Sequence, residues 1–158
     1  MESVQIKRTR NRRNERKTAG RSELGKLRVA AYCRVSTDSD EQENSFETQV
    51  EVYENKIRGN SAWVYAGVYA DEGISGTRAS KRPGFQKMIR DAEDGKIDRI
   101  LTKSISRFAR NTLDCIGYVR HLKEVGTTIL FEKENIDTGS AYSEMLLTVL
   151  AAFAQEES

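Results

Sequence analysis

Four short apolar runs alternate with stretches of helical periodicity, and this alternation constrains the fold more than any other feature of the chain. Leu27 to Cys33 reads as a buried strand. From Asn44, Phe46, Val50, Tyr53 and Ile57 recur at spacings of four, three and four, which predicts a helix ended by Gly59-Asn60. Ala62 to Ala70 is a second strand, ending at Asp71. A Gly/Ser/Arg-rich loop over residues 72–84 leads to a short helix carrying Phe85, Met88, Ile89 and Ala92, closed by Asp94-Gly95. Ile97 to Thr102 is a third strand. Asn111 or Thr112 caps a helix with Leu113, Ile116, Val119 and Leu122, closed by Gly126. Thr127 to Glu132 is a fourth strand, and a polar loop over residues 133–140 precedes a last helix from about Ala141. The order βαβαβαβα predicts an α/β fold with a mostly parallel central sheet of four to five strands.

The last helix is unusual. Met145, Leu146, Leu147, Val149, Leu150, Ala151, Ala152, Phe153 and Ala154 leave almost no polar face. A helix apolar all round needs cover all round. The expectation is one face on the core, another on a second subunit, and a helix that continues past Ser158. The 158 residues suit one domain. No apolar run approaches the ~18 residues of a membrane span, and the basic N-terminus lacks the apolar core of a signal peptide. A cytoplasmic protein is expected. Cys33 and Cys115 are then reduced thiols. Two cysteines and one histidine do not make a zinc site.

Charge is unevenly placed. Residues 1–28 carry 10 of the 26 Lys+Arg and 3 of the 24 Asp+Glu, a net +7 that leaves −5 for the remainder. Residues 1–26 read as a basic, disordered tail suited to phosphate backbones. An acidic body implies that much of any grip on duplex DNA comes from outside it.

In an open parallel sheet, ligands bind beyond the carboxyl ends of the strands. The first strand delivers Arg34 and Ser36 there. The second delivers Asp71 and a loop with Arg78 and Arg82. The third delivers Lys103, Ser106, Arg107 and Arg110, and the first helix presents Gln49 to the same edge. A serine nucleophile for acyl transfer needs a base, most often histidine. The single histidine, His121, falls mid-helix and reads as an exposed helix residue. Ser36 has neither a Gly-x-Ser-x-Gly nor a Ser-x-x-Lys context. Arginine is the abundant partner instead, and its planar fork matches phosphate oxygens. Metal-assisted transfer would need grouped carboxylates, for which Asp71 and Glu72 are one pair. No Gly-x-x-x-x-Gly-Lys-Ser/Thr loop is present. Alone, each residue has an ordinary use: Ser36 as a turn or cap, Arg34 as a surface charge, Arg107 and Arg110 as one exposed helical face, Asp71 as a strand end. Their placement after successive strands favours metal-free covalent chemistry at a phosphate, with Ser36 attacking.

At these residues the chain resembles the catalytic domain of the serine recombinases, the resolvase/invertase family, over about residues 27–158. The motifs are Tyr-Cys-Arg-Val-Ser-Thr (32–37), Ser-Phe-Glu-Thr-Gln (45–49), Asp-Glu-Gly-Ile-Ser-Gly (71–76), Lys-Arg-Pro-Gly-Phe (81–85), Ser-Arg-Phe-Ala-Arg-Asn (106–111) and Leu-Ala-Ala-Phe-Ala-Gln-Glu-Glu (150–157). Their wording is most similar to large serine recombinases of phages and conjugative transposons. The resemblance implies a three-layer fold and recombination for integration or excision of a mobile element. It implies Ser36 as the nucleophile forming a 5′-phosphoserine link, and Arg34, Arg82, Arg107 and Arg110 as phosphate binders. Gln49 and Asp71 are implied as supporting polar residues. It further implies no cofactor, double-stranded DNA attachment sites as partners, and homodimers that pair into a tetramer through the last helix. DNA-binding domains are implied beyond that helix. Small resolvases commonly have Asp where Ser106 stands, so the residues do not single out a base for Ser36. Two other classes are an inactive DNA-associated dimerisation module of the same fold and a Ser-nucleophile phosphatase or nuclease.

Overall fold

The computed structural model describes residues 25–35, 45–72 and 82–156. Residues 1–24, the loop with Ser36, and the loop with Arg78 lie outside them. The strands are β1 (Leu27–Val35), β2 (Trp63–Glu72), β3 (Arg99–Thr102), β4 (Thr128–Phe131) and β5 (Ile136–Asp137). The helices are α1 (Phe46–Arg58), α2 (Pro83–Glu93), α3 (Ile105–Phe108), α4 (Thr112–Glu124) and α5 (Ala141–Glu156). Local chemistry sets their starts. Ser45 Oγ accepts from Thr48 N to cap α1, and Asn111 Oδ1 accepts from Asp114 N to cap α4. Pro83 opens α2, where its missing N–H costs nothing.

The sheet order is β2-β1-β3-β4-β5, parallel except for the β4–β5 hairpin. After β1 the chain moves one way to β2; after β2 it crosses back to β3 and on to β4. Right-handed crossovers in opposite directions put their helices on opposite faces. The core follows this rule. Tyr53 and Ile57 of α1 pack with Val29, Ala31, Cys33 and Leu101 on one face. Helices α2 to α5 pack on the other with Ala30, Tyr32 and Ile100. The result is three layers, α1, sheet, and α2–α5.

A bulge in β2 decides which face its carboxyl end uses. Val29 pairs with Tyr65 but Ala30 with Gly67, so Ala66 is an extra residue. Trp63 and Tyr65 lie on the α1 face before it, and Tyr69 joins the opposite core after it. Strand alternation then puts Asp71 with Tyr69 and Tyr32. Gly67 makes the bulge with φ of +113°, and a Cβ there would meet nothing within 4 Å. Gly67→Ala is therefore a test of backbone strain alone. It should cost about 1–3 kcal/mol in chemical denaturation; no measurable loss would mean the bulge does not need glycine.

Several sequence expectations are corrected. β1 extends two residues beyond Cys33, so Arg34 is in the strand, and β2 includes Asp71. β3 starts at Arg99 rather than Ile97, and β4 at Thr128. The polar stretch 133–140 contains β5, pinned where Thr138 Oγ1 accepts from Ile129 N. The segment after β3 contains α3. Phe46 and Leu113 are exposed, although the periodicity put both on apolar faces. In α4 the buried stripe runs through Cys115, Ile116, Val119 and Leu122, and Leu113 falls off it. Of α5, Leu147 is buried and Leu146, Leu150 and Ala151 pack on the core, while Tyr142, Met145 and Val149 stay exposed. Among the described residues, no helix is long and apolar enough to cross a membrane.

Candidate active site

The chain leaves β1 toward one face and β3 toward the other, so a crevice opens beyond the carboxyl ends of these two neighbours. Such a switch point is where open α/β sheets hold their ligands. Tyr32, Cys33 and Arg34 from β1, Gln49 and Tyr53 from α1, and Lys103 and Arg107 from the segment after β3 line one pocket there. Arg107 Nη1 reaches the Arg34 carbonyl at 3.5 Å. The half-buried Arg107 is held by its helix. Ser104 Oγ accepts from Arg107 N, and the Glu134 carboxylate accepts from Ile105 N at 3.2 and 3.3 Å. Both acceptors satisfy N–H groups that a helix start leaves open.

Beneath the crevice is an aromatic floor. Phe108 and Phe85 stand 5.1 Å apart, Tyr32 and Phe85 5.2 Å, and Phe108 and Phe131 5.5 Å, all edge to face. Arg82 lies on this floor with its guanidinium carbon 3.8 Å from the Phe85 ring centre, and its Nη1 donates to the Phe108 carbonyl. Arg82 is thus held against rings that cannot shift without opening the core, and Arg107 directly precedes one of them, the buried Phe108, in the chain.

Asp71 ties this floor to α2. Its Oδ1 accepts from Gly84 N, and its Oδ2 accepts from Phe85 N and Tyr32 Oη, each at 2.8 Å. Asp71 caps the α2 N-terminus from outside, where Arg82 offers no side-chain cap. Burial first, then the bond to Asp71, push the Tyr32 phenol above its ordinary range, while nearby Arg82 pulls it down. Tyr32 is therefore a neutral donor. Asp71 and Glu72, the pair weighed for a metal, are successive strand residues on opposite faces, one buried and one exposed.

A larger cavity of about 480 Å³ adjoins the pocket and shares Gln49, Tyr53 and Lys103 with it. Val52, Lys56, Glu132 and Lys133 are its other described lining residues. Glu132 Oε1 accepts from Tyr53 Oη at 2.6 Å, and Oε2 pairs with Lys56. Cys33 lies buried beside this group, its thiol pushed up to about 12 by burial and then by Glu132.

Of the residues singled out from the sequence, Arg34, Gln49 and Arg107 meet in the pocket, and Arg82 and Asp71 meet through Tyr32 and Phe85. Arg110 is exposed, one residue before the Asn111 cap, and is not part of the pocket wall. Arg107 and Arg110 do not share a helical face, because α3 ends at Phe108. Ser36 and Arg78 fall outside the described residues. His121 is exposed and faces Glu93 at 3.5 Å. Sequence reading overlooked Tyr32, Tyr53 and Glu132. The pairing of a strand tyrosine with Asp71 depends on the β2 bulge, which only Gly67 hinted at.

The family model described as resolvase, N-terminal domain, matches residues 29–158. A resolvase/recombinase of Pseudomonas putida is 27% identical over 132 residues, 83% of this chain and 65% of its own length. The Tn3 transposon resolvase of Escherichia coli is 28% identical over 132 residues, 83% of this chain and 64% of its own. The chain thus spans slightly less than two thirds of these relatives. Among solved structures, the N-terminal catalytic domain of TP901-1 integrase is 29% identical with a TM-score of 0.65, over 82% of this chain and 95% of that one. A resolvase family site-specific recombinase from Streptococcus pneumoniae is 29% identical with a TM-score of 0.67, over 84% and 88%.

Proposed function

Because this chain belongs to the resolvase N-terminal domain family, we propose that it is the catalytic part of a site-specific DNA recombinase with Ser36 as its nucleophile. One observation carries the reading. Arg34, two residues before Ser36 in the chain, and Arg107, from the segment after β3, line one pocket at the switch point. Their forks suit the non-bridging oxygens of a phosphodiester and the charge those oxygens gain during attack.

The Ser36 hydroxyl oxygen attacks phosphorus and gives up its proton. The bond to the 3′ oxygen breaks, and that oxygen leaves as a 3′ hydroxyl after taking a proton. The DNA 5′ phosphate stays on Ser36 as an ester. Religation runs the same exchange backwards with a new 3′ hydroxyl. One phosphoester bond is broken for each one made, so the cycle needs no nucleotide cofactor. Arg34 and Arg107 bind and polarise the phosphate from the pocket wall, Arg82 and Arg110 are the further phosphate binders that the family resemblance implies, Gln49 lines the same pocket, and Asp71 holds α2 and Tyr32 in place.

The partners are double-stranded attachment sites and further copies of the chain. Tyr142, Met145 and Val149 recur at spacings of three and four and are 64%, 56% and 49% exposed. That stripe on α5 supports dimers which pair into a tetramer. Integration or excision of a mobile element in the bacterial cytoplasm is the corresponding role.

The test is a covalent adduct. Full-length protein incubated with attachment-site DNA in EDTA and quenched with SDS should carry a 5′ DNA end on the Ser36 peptide, read by mass spectrometry. Cleavage that appears only with added Mg²⁺, or that leaves no protein on the DNA, would overturn the reading.

A further inference from the structure

The cavity beside the arginine pocket has no part in the chemistry above. We infer that it is a second phosphate subsite, which seats a backbone phosphodiester flanking the scissile one on the attacked strand. This rests on the reading of the Arg34–Arg107 pocket as the scissile-phosphate site.

Position is the first argument. Lys103 follows β3, and Glu132 and Lys133 follow β4, so the cavity opens on the same carboxyl edge as Arg34. β1, β3 and β4 are consecutive in the sheet. At about 4.8 Å per strand, the end of β4 is about 10 Å from that of β1. A nucleic-acid strand rises about 3.4 Å per nucleotide, so the two sites are within three nucleotides of each other. The pocket and the cavity share Gln49, Tyr53 and Lys103, which makes them one continuous groove.

Charge is the second. Among the described residues, Lys56, Lys103 and Lys133 line the cavity against one carboxylate, Glu132. Both Glu132 oxygens are occupied, by Tyr53 and by Lys56. Lys103 and Lys133 are exposed there, and their backbones are clipped together where Lys133 N donates to the Lys103 carbonyl at 2.8 Å. The body of the chain is net acidic, so this local excess of cations marks a place for an anion. Val52, 57% exposed, and the Tyr53 ring add an apolar wall that a sugar can cover. An anion with apolar flanks describes a nucleotide better than it describes inorganic phosphate.

The experiment titrates ¹⁵N-labelled protein with single-stranded tetrathymidylate and, separately, with inorganic phosphate. Tetrathymidylate should shift the amide signals of Val52, Lys103 and Lys133 as well as those of Arg34 and Arg107. Lys133→Gln should weaken tetrathymidylate about 5–10-fold at about 0.05 M salt and lower the salt slope of binding by about 0.7. The same variant should leave inorganic phosphate at the arginines unchanged. Lys96→Gln, an equal charge change at the opposite edge of the sheet, should alter neither. Unchanged tetrathymidylate affinity in Lys133→Gln, or equal loss of both ligands, overturns the subsite. Shifts confined to Arg34 and Arg107 overturn it too, yet leave the parent reading intact. Loss of the Ser36 adduct in the unmodified protein would overturn both.

Discussion

Ser36→Ala should reduce the SDS-resistant protein–DNA adduct to background, and Arg107→Ala should slow its formation by about 10²–10³-fold. The two losses differ in kind. Without the hydroxyl there is no ester to form. Without Arg107 the ester still forms, but the charge that grows on the phosphate oxygens loses one preorganised donor. The fold should not register the change at Arg107. Its side chain is half-buried and its bond to the Arg34 carbonyl is long, at 3.5 Å. A bond of that kind contributes no more than about 1 kcal/mol. Arg107→Lys is the discriminating variant. It keeps the charge but loses the fork, so it should restore only part of the rate. Full restoration by lysine would mean that Arg107 supplies a field and not a bidentate contact. A normal single-turnover rate in Arg107→Ala would remove this residue from the site.

The strands and helices were legible where period and burial agree. Ala30 and Tyr32 alternate with Val29, Ala31 and Cys33, and both faces are covered, so the run reads as a buried strand. β5 was not legible because its two residues sit inside a polar run and are held by tertiary bonds from Thr138 and Asp137. α3 escaped for a similar reason. Four residues show no period, and its start is fixed by Glu134, far along the chain. At the site, the arginines were legible because arginine after a strand has a ready chemical meaning. Their support was not. The role of Asp71 depends on the bulge at Ala66 and on Gly84, and neither changes the apolar pattern. The Glu132–Tyr53 bond joins residues 79 apart in sequence, and only the sheet order brings them together.

Asp71 also sets the largest expected effect on stability. Asp71→Ala should lower the free energy of unfolding by about 3–5 kcal/mol, because it strands three donors at once. Asp71 is only 8% exposed, and water cannot readily replace it at Gly84 N, Phe85 N or Tyr32 Oη. The cost should divide in a particular way. Tyr32→Phe removes one donor and leaves the cap of α2 intact, for about 0.5–1.5 kcal/mol. Asp71→Asn keeps the shape and one carbonyl oxygen. With that oxygen toward Phe85 and Tyr32, its amide N–H groups face the N–H of Gly84, and the unmet donor costs about 1–3 kcal/mol. Helix α2 can reach Asp71 only because residue 84 has no side chain. A Cβ there would lie 2.4 Å from the Ala70 carbonyl oxygen and 3.1 Å from Asp71 Oδ1. Gly84→Ala should therefore resemble Asp71→Ala in denaturant, although it deletes nothing. Combined, the two should cost much less than their sum, since each breaks the same contact. Additive losses would show that Asp71 and Gly84 act independently, and that Asp71 does not hold α2 against the strand that carries it.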